Sequence, residues 1–144
     1  MYVDANILVD GIVYGEDESR ITTNAIGQYR KLDGVHILRY LESSVMKNEE
    51  PDNKDANCIN TIKISSGLVE MIKRGENSTH MVFDLSMSTQ SEYDTPYGSL
   101  YFQIKTSKIE IEERDNEVIL HMEYSLSHND SHISDNLIII TVKK

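Results

Sequence analysis

From Thr79 to Leu126, apolar side chains recur at every second residue. Met81, Phe83, Leu85 and Met87 alternate with His80, Asp84 and Ser86. Leu100, Phe102 and Ile104 alternate with Tyr101, Gln103 and Lys105. Val118, Leu120, Met122, Tyr124 and Leu126 alternate with Ile119, His121, Glu123 and Ser125. A period of two gives each run one face for an apolar interior and one for water.

Similar segments flank these runs. Val3 to Val13 places Val3, Ala5, Ile7 and Val9 on one face and ends at the polar turn Gly15-Glu16-Asp17-Glu18. Ser19 to Leu32 leads into Asp33-Gly34, a dipeptide suited to tight hairpins because both residues tolerate positive φ. Val35 to Ser43 returns. Met46 to Ala56 is acidic, holds Pro51, has no period and reads as a long loop. Cys58 to Ser65, the turn Ser66-Gly67, and Leu68 to Arg74 follow, closed by Gly75-Glu76-Asn77. Asn136 to Lys143 ends the series. Eight to ten short strands with brief connections and no helical period predict a single all-β domain over residues 1–144. The simplest form is an antiparallel, mostly up-and-down barrel, which leaves no edge strand exposed.

Two segments resist simple alternation. In Val35 to Glu42, one frame buries Val35, Ile37, Arg39 and Leu41, and the other His36, Leu38, Tyr40 and Glu42. In Leu68 to Arg74, Val69, Met71 and Lys73 compete with Leu68, Glu70, Ile72 and Arg74. Either choice sends an ionisable group inward. An unpaired buried charge costs several kcal/mol, so such groups must pair, reach a barrel mouth or face an internal cavity.

Charge narrows the partners. Fourteen basic against twenty-four acidic residues give a net charge of −10, which repels nucleic acid and anionic lipid. No apolar run approaches the ~18 residues a membrane helix needs. The first residues, with Asp4 and Asn6 and no basic lead-in, do not read as a signal peptide. Cys58 is the only cysteine, so no intrachain disulfide forms. A cytoplasmic protein is expected.

Motifs for chemistry are sparse. His128 and His132 flank Asn129-Asp130-Ser131 in an expected hairpin loop; two imidazoles and a carboxylate suit a transition metal, but a flexible loop gives them no rigid support. His80 and His121 fall on outward positions and are expected to be solvated. Glu110 and Glu112 share a face opposite Ile109 and Ile111, and a water-facing carboxylate pair is the simplest reading. No nucleophile–base pattern, phosphate loop or dinucleotide fingerprint occurs. Nothing identifies catalytic residues, a metal site or a cofactor.

Tyr93-Asp94-Thr95-Pro96-Tyr97-Gly98, followed by the alternating run to Thr106 and Ile109, resembles the signature of the YwiB-like family, small bacterial proteins classed as a domain of unknown function. Thr23, Gly27 and Tyr29, Glu42-Ser43, Thr61 to Ile64, Val69 to Gly75 and Met81 to Phe83 fit the same register. The resemblance implies a calycin-like, lipocalin-like barrel and no established activity. Within Thr95-Pro96-Tyr97-Gly98 itself, Pro96 fixes φ and Gly98 allows an unusual one, as a strand-to-strand corner requires.

Barrels of that type hold fatty-acid carboxylates with an inward arginine and tyrosine, because a guanidinium fork and a phenol satisfy the carboxylate together. Here that points to Arg39, Tyr40, Arg74, Tyr97 and Tyr124 as ligand-binding candidates. The first functional expectation is therefore a small-molecule binding barrel for an apolar or amphipathic anionic ligand. The alternative is a packed barrel that acts as a protein–protein interaction module through its rim or surface, a homodimer included.

Overall fold

A computed structural model describes residues 1–15, 18–43, 57–75, 78–95 and 97–144. The chain forms β1 (Val3–Tyr14), β2 (Ser19–Leu32), β3 (Val35–Ser43), β4 (Asn57–Ser65), β5 (Leu68–Arg74), β6 (Thr79–Asp84), β7 (Thr89–Thr95), β8 (Gly98–Glu113), β9 (Glu117–His128) and β10 (Ser131–Lys143). Each strand pairs antiparallel with the next, and β10 returns to β1 from Asn6↔Lys143 to Tyr14↔Asp135. The result is a closed, ten-stranded up-and-down barrel with no helix among the described residues. The expected loop from Met46 to Ala56 and Pro96 of the corner lie outside the described residues, as do parts of the turns at Gly15–Glu18 and Gly75–Asn77.

Turn chemistry sets the hairpins. Asp33 and Gly34 both have positive φ (51° and 79°), as do Asn129 and Asp130 (49° and 63°), so both two-residue loops match the twist of their strands. Gly98 has φ 123° and pairs with Thr95 at the β7–β8 corner. The lower end of the barrel carries the β2–β3, β4–β5, β6–β7 and β8–β9 connections; the upper end carries the others.

Alternation packs the interior. Ile7, Leu38, Ile64, Val69, Phe83, Ile104, Val118, Leu120, Met122, Ile140 and Val142 are fully buried. Each such side chain contributes about 1.5–3 kcal/mol. In β8 the inward set changes phase, from Ile104 and Thr106 to Ile109 and Ile111. The register shifts between Thr106 and Lys108, and Ser107 Oγ donates to the Glu123 carbonyl at 3.2 Å across that irregularity. One extra residue lets both halves of the strand keep their apolar side inward.

One expectation needs correction, and one strand lies outside the expected series. The run from Met81 does not continue to Met87: β6 stops at Asp84, and Leu85 and Met87 are exposed. Asp84 Oδ1 accepts from the Ser86 backbone N–H at 2.9 Å and from Ser86 Oγ at 2.7 Å, forming a side-chain turn that outcompetes the strand. The next strand, β7, has almost no apolar alternation and escapes a hydrophobic pattern. Its inward Thr89 and Ser91 are held by the β6 backbone instead: Thr89 Oγ1 donates to the Val82 carbonyl and Ser91 Oγ to that of His80 at 3.2 Å. These side chains replace ladder bonds where the β6–β7 register covers only Thr79↔Tyr93 and His80↔Glu92.

Candidate functional site

The strand register decides which frame faces the lumen. In β3, His36, Leu38 and Tyr40 are buried, so Arg39 points outward and is exposed. In β5, Val69 is fully buried and Met71 and Lys73 share its face, so Arg74 lies outside opposite Ile59. The inward ionisable groups are thus His36 and Lys73. Arg39 and Arg74, expected inside, stand on the outer wall; there the Arg39 guanidinium lies 5.5 Å and that of Arg30 5.6 Å from the centre of the Tyr2 ring. Tyr97 sits fully exposed at the β7–β8 corner. Of the five candidates, only Tyr40 and Tyr124 line the interior, so the five do not form one site.

The lumen has two characters. Its lower half is packed with the aliphatic and aromatic core. Toward the upper end, β4, β7, β8 and β10 bury Asn60, Ser91, Thr106, Ser134 and Asn136. Asn136 Nδ2 donates to Ser134 Oγ at 3.0 Å, and the β9–β10 register sets Asn136 opposite Tyr124, itself opposite Thr106. Lys73, half-buried, faces Asn60 across the β4–β5 pair. The Tyr124 ring packs edge-on against Phe83, with centroids 4.7 Å apart, and burial pushes its phenol up to about 12, which keeps it protonated. Thr106 Oγ1 is buried with no hydrogen-bond partner among the described residues.

At the lower end a second polar cluster closes the core. His36 Nδ1 lies 2.7 Å from the Tyr29 hydroxyl, and its Nε2 lies 3.9 Å from Glu113. Lys31 Nζ reaches both Glu113 oxygens at 3.0 Å, and Lys144 Nζ sits 5.1 Å above the Tyr29 ring. Burial holds the His36 imidazole below its ordinary value; the Glu113 charge opposes this and Lys31 and Lys144 reinforce it. Its hydrogen bond with Lys31 and the nearby positive charges hold Glu113 below the usual carboxylate range. A neutral His36 with its proton on Nε2 accepts the Tyr29 hydroxyl and turns its N–H toward Glu113. Sequence reasoning sends His36 inward in one frame only, and nothing in the period reveals that Glu113 closes over it from a strand 77 positions away.

The outer histidines are engaged separately. His80 Nε2 meets Glu70 at 2.8 Å, His128 Nδ1 meets the Tyr101 carbonyl at 2.8 Å, and His132 Nε2 meets Asp135 at 3.0 Å. His121 is half-buried, with a buried Nε2 that has no partner among the described residues, so it is not simply solvated. Among the described residues no group of three histidine, cysteine or acidic side chains could hold a metal ion, and no helix is long and apolar enough to cross a membrane.

Comparison with known proteins agrees with this architecture. A family profile described as Domain of unknown function (DUF1934) matches residues 7–140. The crystal structure of ywiB protein from Bacillus subtilis superposes with a TM-score of 0.81 at 16% identity, over 99% of this chain and 92% of that one. At that identity the likeness shows the fold alone. No curated protein matches the chain.

Proposed function

The chain belongs to the family described as Domain of unknown function (DUF1934), and on that premise we propose that it is a small-molecule binding barrel, calycin-like in use as in shape. Its ligand is an amphipathic anion whose polar group sits in the upper half of the lumen. The observation that carries this reading is the buried Thr106 hydroxyl without a partner among the described residues, set among Ser91, Ser134, Asn136 and the protonated Tyr124. An interior built for stability alone gains nothing from a polar group it cannot satisfy. A ligand oxygen at that place would supply the missing bond. Tyr124 would donate to the same group, and Lys73 is the cation on the inward face of β5, where sequence reasoning gave a place to Arg74.

The test is native mass spectrometry of freshly purified protein for a retained small molecule, followed by titration with a dansyl-labelled fatty acid. Saturable one-to-one binding that Thr106→Val and Asn136→Leu each weaken about tenfold supports the reading, since a lost buried hydrogen bond costs about 1–3 kcal/mol. No retained mass and no saturable binding ends it.

A further inference from the structure

The barrel wall is not uniformly zipped. β2 pairs with β1 along almost its whole length, from Val3↔Tyr29 to Val13↔Ser19, but with β3 only from Gln28↔Arg39 to Leu32↔Val35. Above Gly27 the two strands part. Backbone hydrogen-bonding groups alternate in direction along a strand. About half of those in residues 19–27 therefore point toward a side where no strand pairs with them among the described residues. Nothing in the sequence of this stretch guards that edge: it has neither proline nor lysine, and Ile21, Thr22, Thr23 and Ile26 are β-branched. Its one charge, Arg20, is taken by Asp10 of β1.

The wall beside the cleft has its own chemistry. A groove of about 260 Å³ runs between Ile26, Gly27, Gln28, Arg39, Tyr40, Leu41 and Ile59. Ile26 is 81% and Leu41 62% exposed, high values for such residues. Arg30, Arg39, Lys63 and Arg74 all face outward across β2–β5, and none forms an ion pair among the described residues. Glu70, the acidic residue on this stretch of wall, is already paired with His80. In a chain of net charge −10 this is a local cationic surface with apolar residues between the charges.

We propose that the β2–β3 cleft docks an extended segment of a partner protein in which every second residue, the set on one face of the strand, is in turn apolar and acidic. The segment pairs its backbone with the edge of β2 that no strand covers among the described residues. On its outward face, apolar side chains lie on Ile26, Leu41 and Ile59, and carboxylates meet Arg39 and Arg30. Strand addition supplies affinity through the main chain, and the flanking pockets and charges supply selectivity. The site is on the outer wall and is independent of what the lumen holds.

The experiment uses the full chain and a dye-labelled octapeptide whose odd positions are valine and glutamate in turn and whose even positions are threonine, so that both probe side chains share one face. Expected are saturable binding and slowed exchange of those amides of residues 19–27 that point away from β1, which exchange readily in the free protein. Arg39→Glu and Arg30→Glu should each weaken binding about tenfold, with melting lowered only slightly by the lost contact with the Tyr2 ring. N-methylating alternate peptide residues should weaken it at least about tenfold by removing ladder bonds. Equal affinity for the same octapeptide with lysine in place of glutamate overturns the proposal. So does full protection of residues 19–27 in the free monomer, or a dimer whose dilution exposes those amides, which would make a second copy the occupant.

Discussion

Tyr29 and His36, on adjacent strands, meet hydroxyl to Nδ1 at 2.7 Å beneath the Lys31–Glu113 ion pair. The bond joins the two strands within the stretch where they pair among the described residues, and burial there holds the imidazole below its ordinary value.

A pH dependence follows. His36 is held below its ordinary value of 6.5 in the folded chain, so between its unfolded and folded values the unfolded state binds more protons and stability rises with pH. Stability is full above about pH 6.5 and declines as pH falls below it toward the depressed folded value. Urea midpoints measured from pH 7.5 to 5.5 should fall for the native chain and stay level for His36→Gln. Parallel slopes in the two proteins would remove the histidine from this role.

Gly27 sits at the apex of the cleft. A Cβ there would overlap the Arg39 carbonyl and lie 2.8 Å from Ile7 Cδ1 and 2.9 Å from Tyr40 Cβ. Backbone cannot yield as a side-chain tip can. Gly27→Ala should cost about 3 kcal/mol, as overpacking does, read by chemical denaturation. A loss under 1 kcal/mol would mean that β2 and β3 are free to move apart.

Thr106→Val should raise the stability of the ligand-free protein by about 1 kcal/mol, because it removes a buried hydroxyl that has no partner among the described residues. The same variant is expected to bind the dansyl probe more weakly. Opposite signs in the two measurements distinguish a binding group from a packing one; destabilisation of the free protein would show that the hydroxyl is already satisfied.

Leu85 and Leu120 share the same alternating pattern but opposite surroundings. Leu120→Ala should cost about 2–5 kcal/mol and Leu85→Ala less than about 0.5 kcal/mol. Similar losses at both would contradict the strand end at Asp84.

Those two leucines also mark how far the sequence is readable. Strand-like runs bounded by turn residues marked nine of the ten strands, and alternation is cleanest in β9, through Val118, Leu120, Met122 and Tyr124. It failed at β7, where Thr89 and Ser91 hold the strand by side-chain hydrogen bonds, a mechanism with no hydrophobic signature. It also overran β6, because a turn built by Asp84 and Ser86 carries no such signature either. At the candidate site, the conflict of frames in β3 and β5 correctly announced inward ionisable groups, yet period alone could not choose His36 and Lys73 over Arg39 and Arg74. That choice is made by neighbours: Ile64 opposite His36 and Asn60 opposite Lys73 fix the frame through the register.

The seam between β1 and β10 imposes an order on how the molecule is made. Ile140 and Val142 pair with Leu120 and Val118 of β9 on one side, but the ring closes only when they also meet Val9 and Ile7 of β1, the earliest made of the ten strands. A chain still emerging from the ribosome must therefore hold nine staves with their greasy sides uncovered until the tenth arrives to hoop them. Anything that delays translation of residues 131–143 prolongs the interval in which such a chain is most apt to stick to its neighbours.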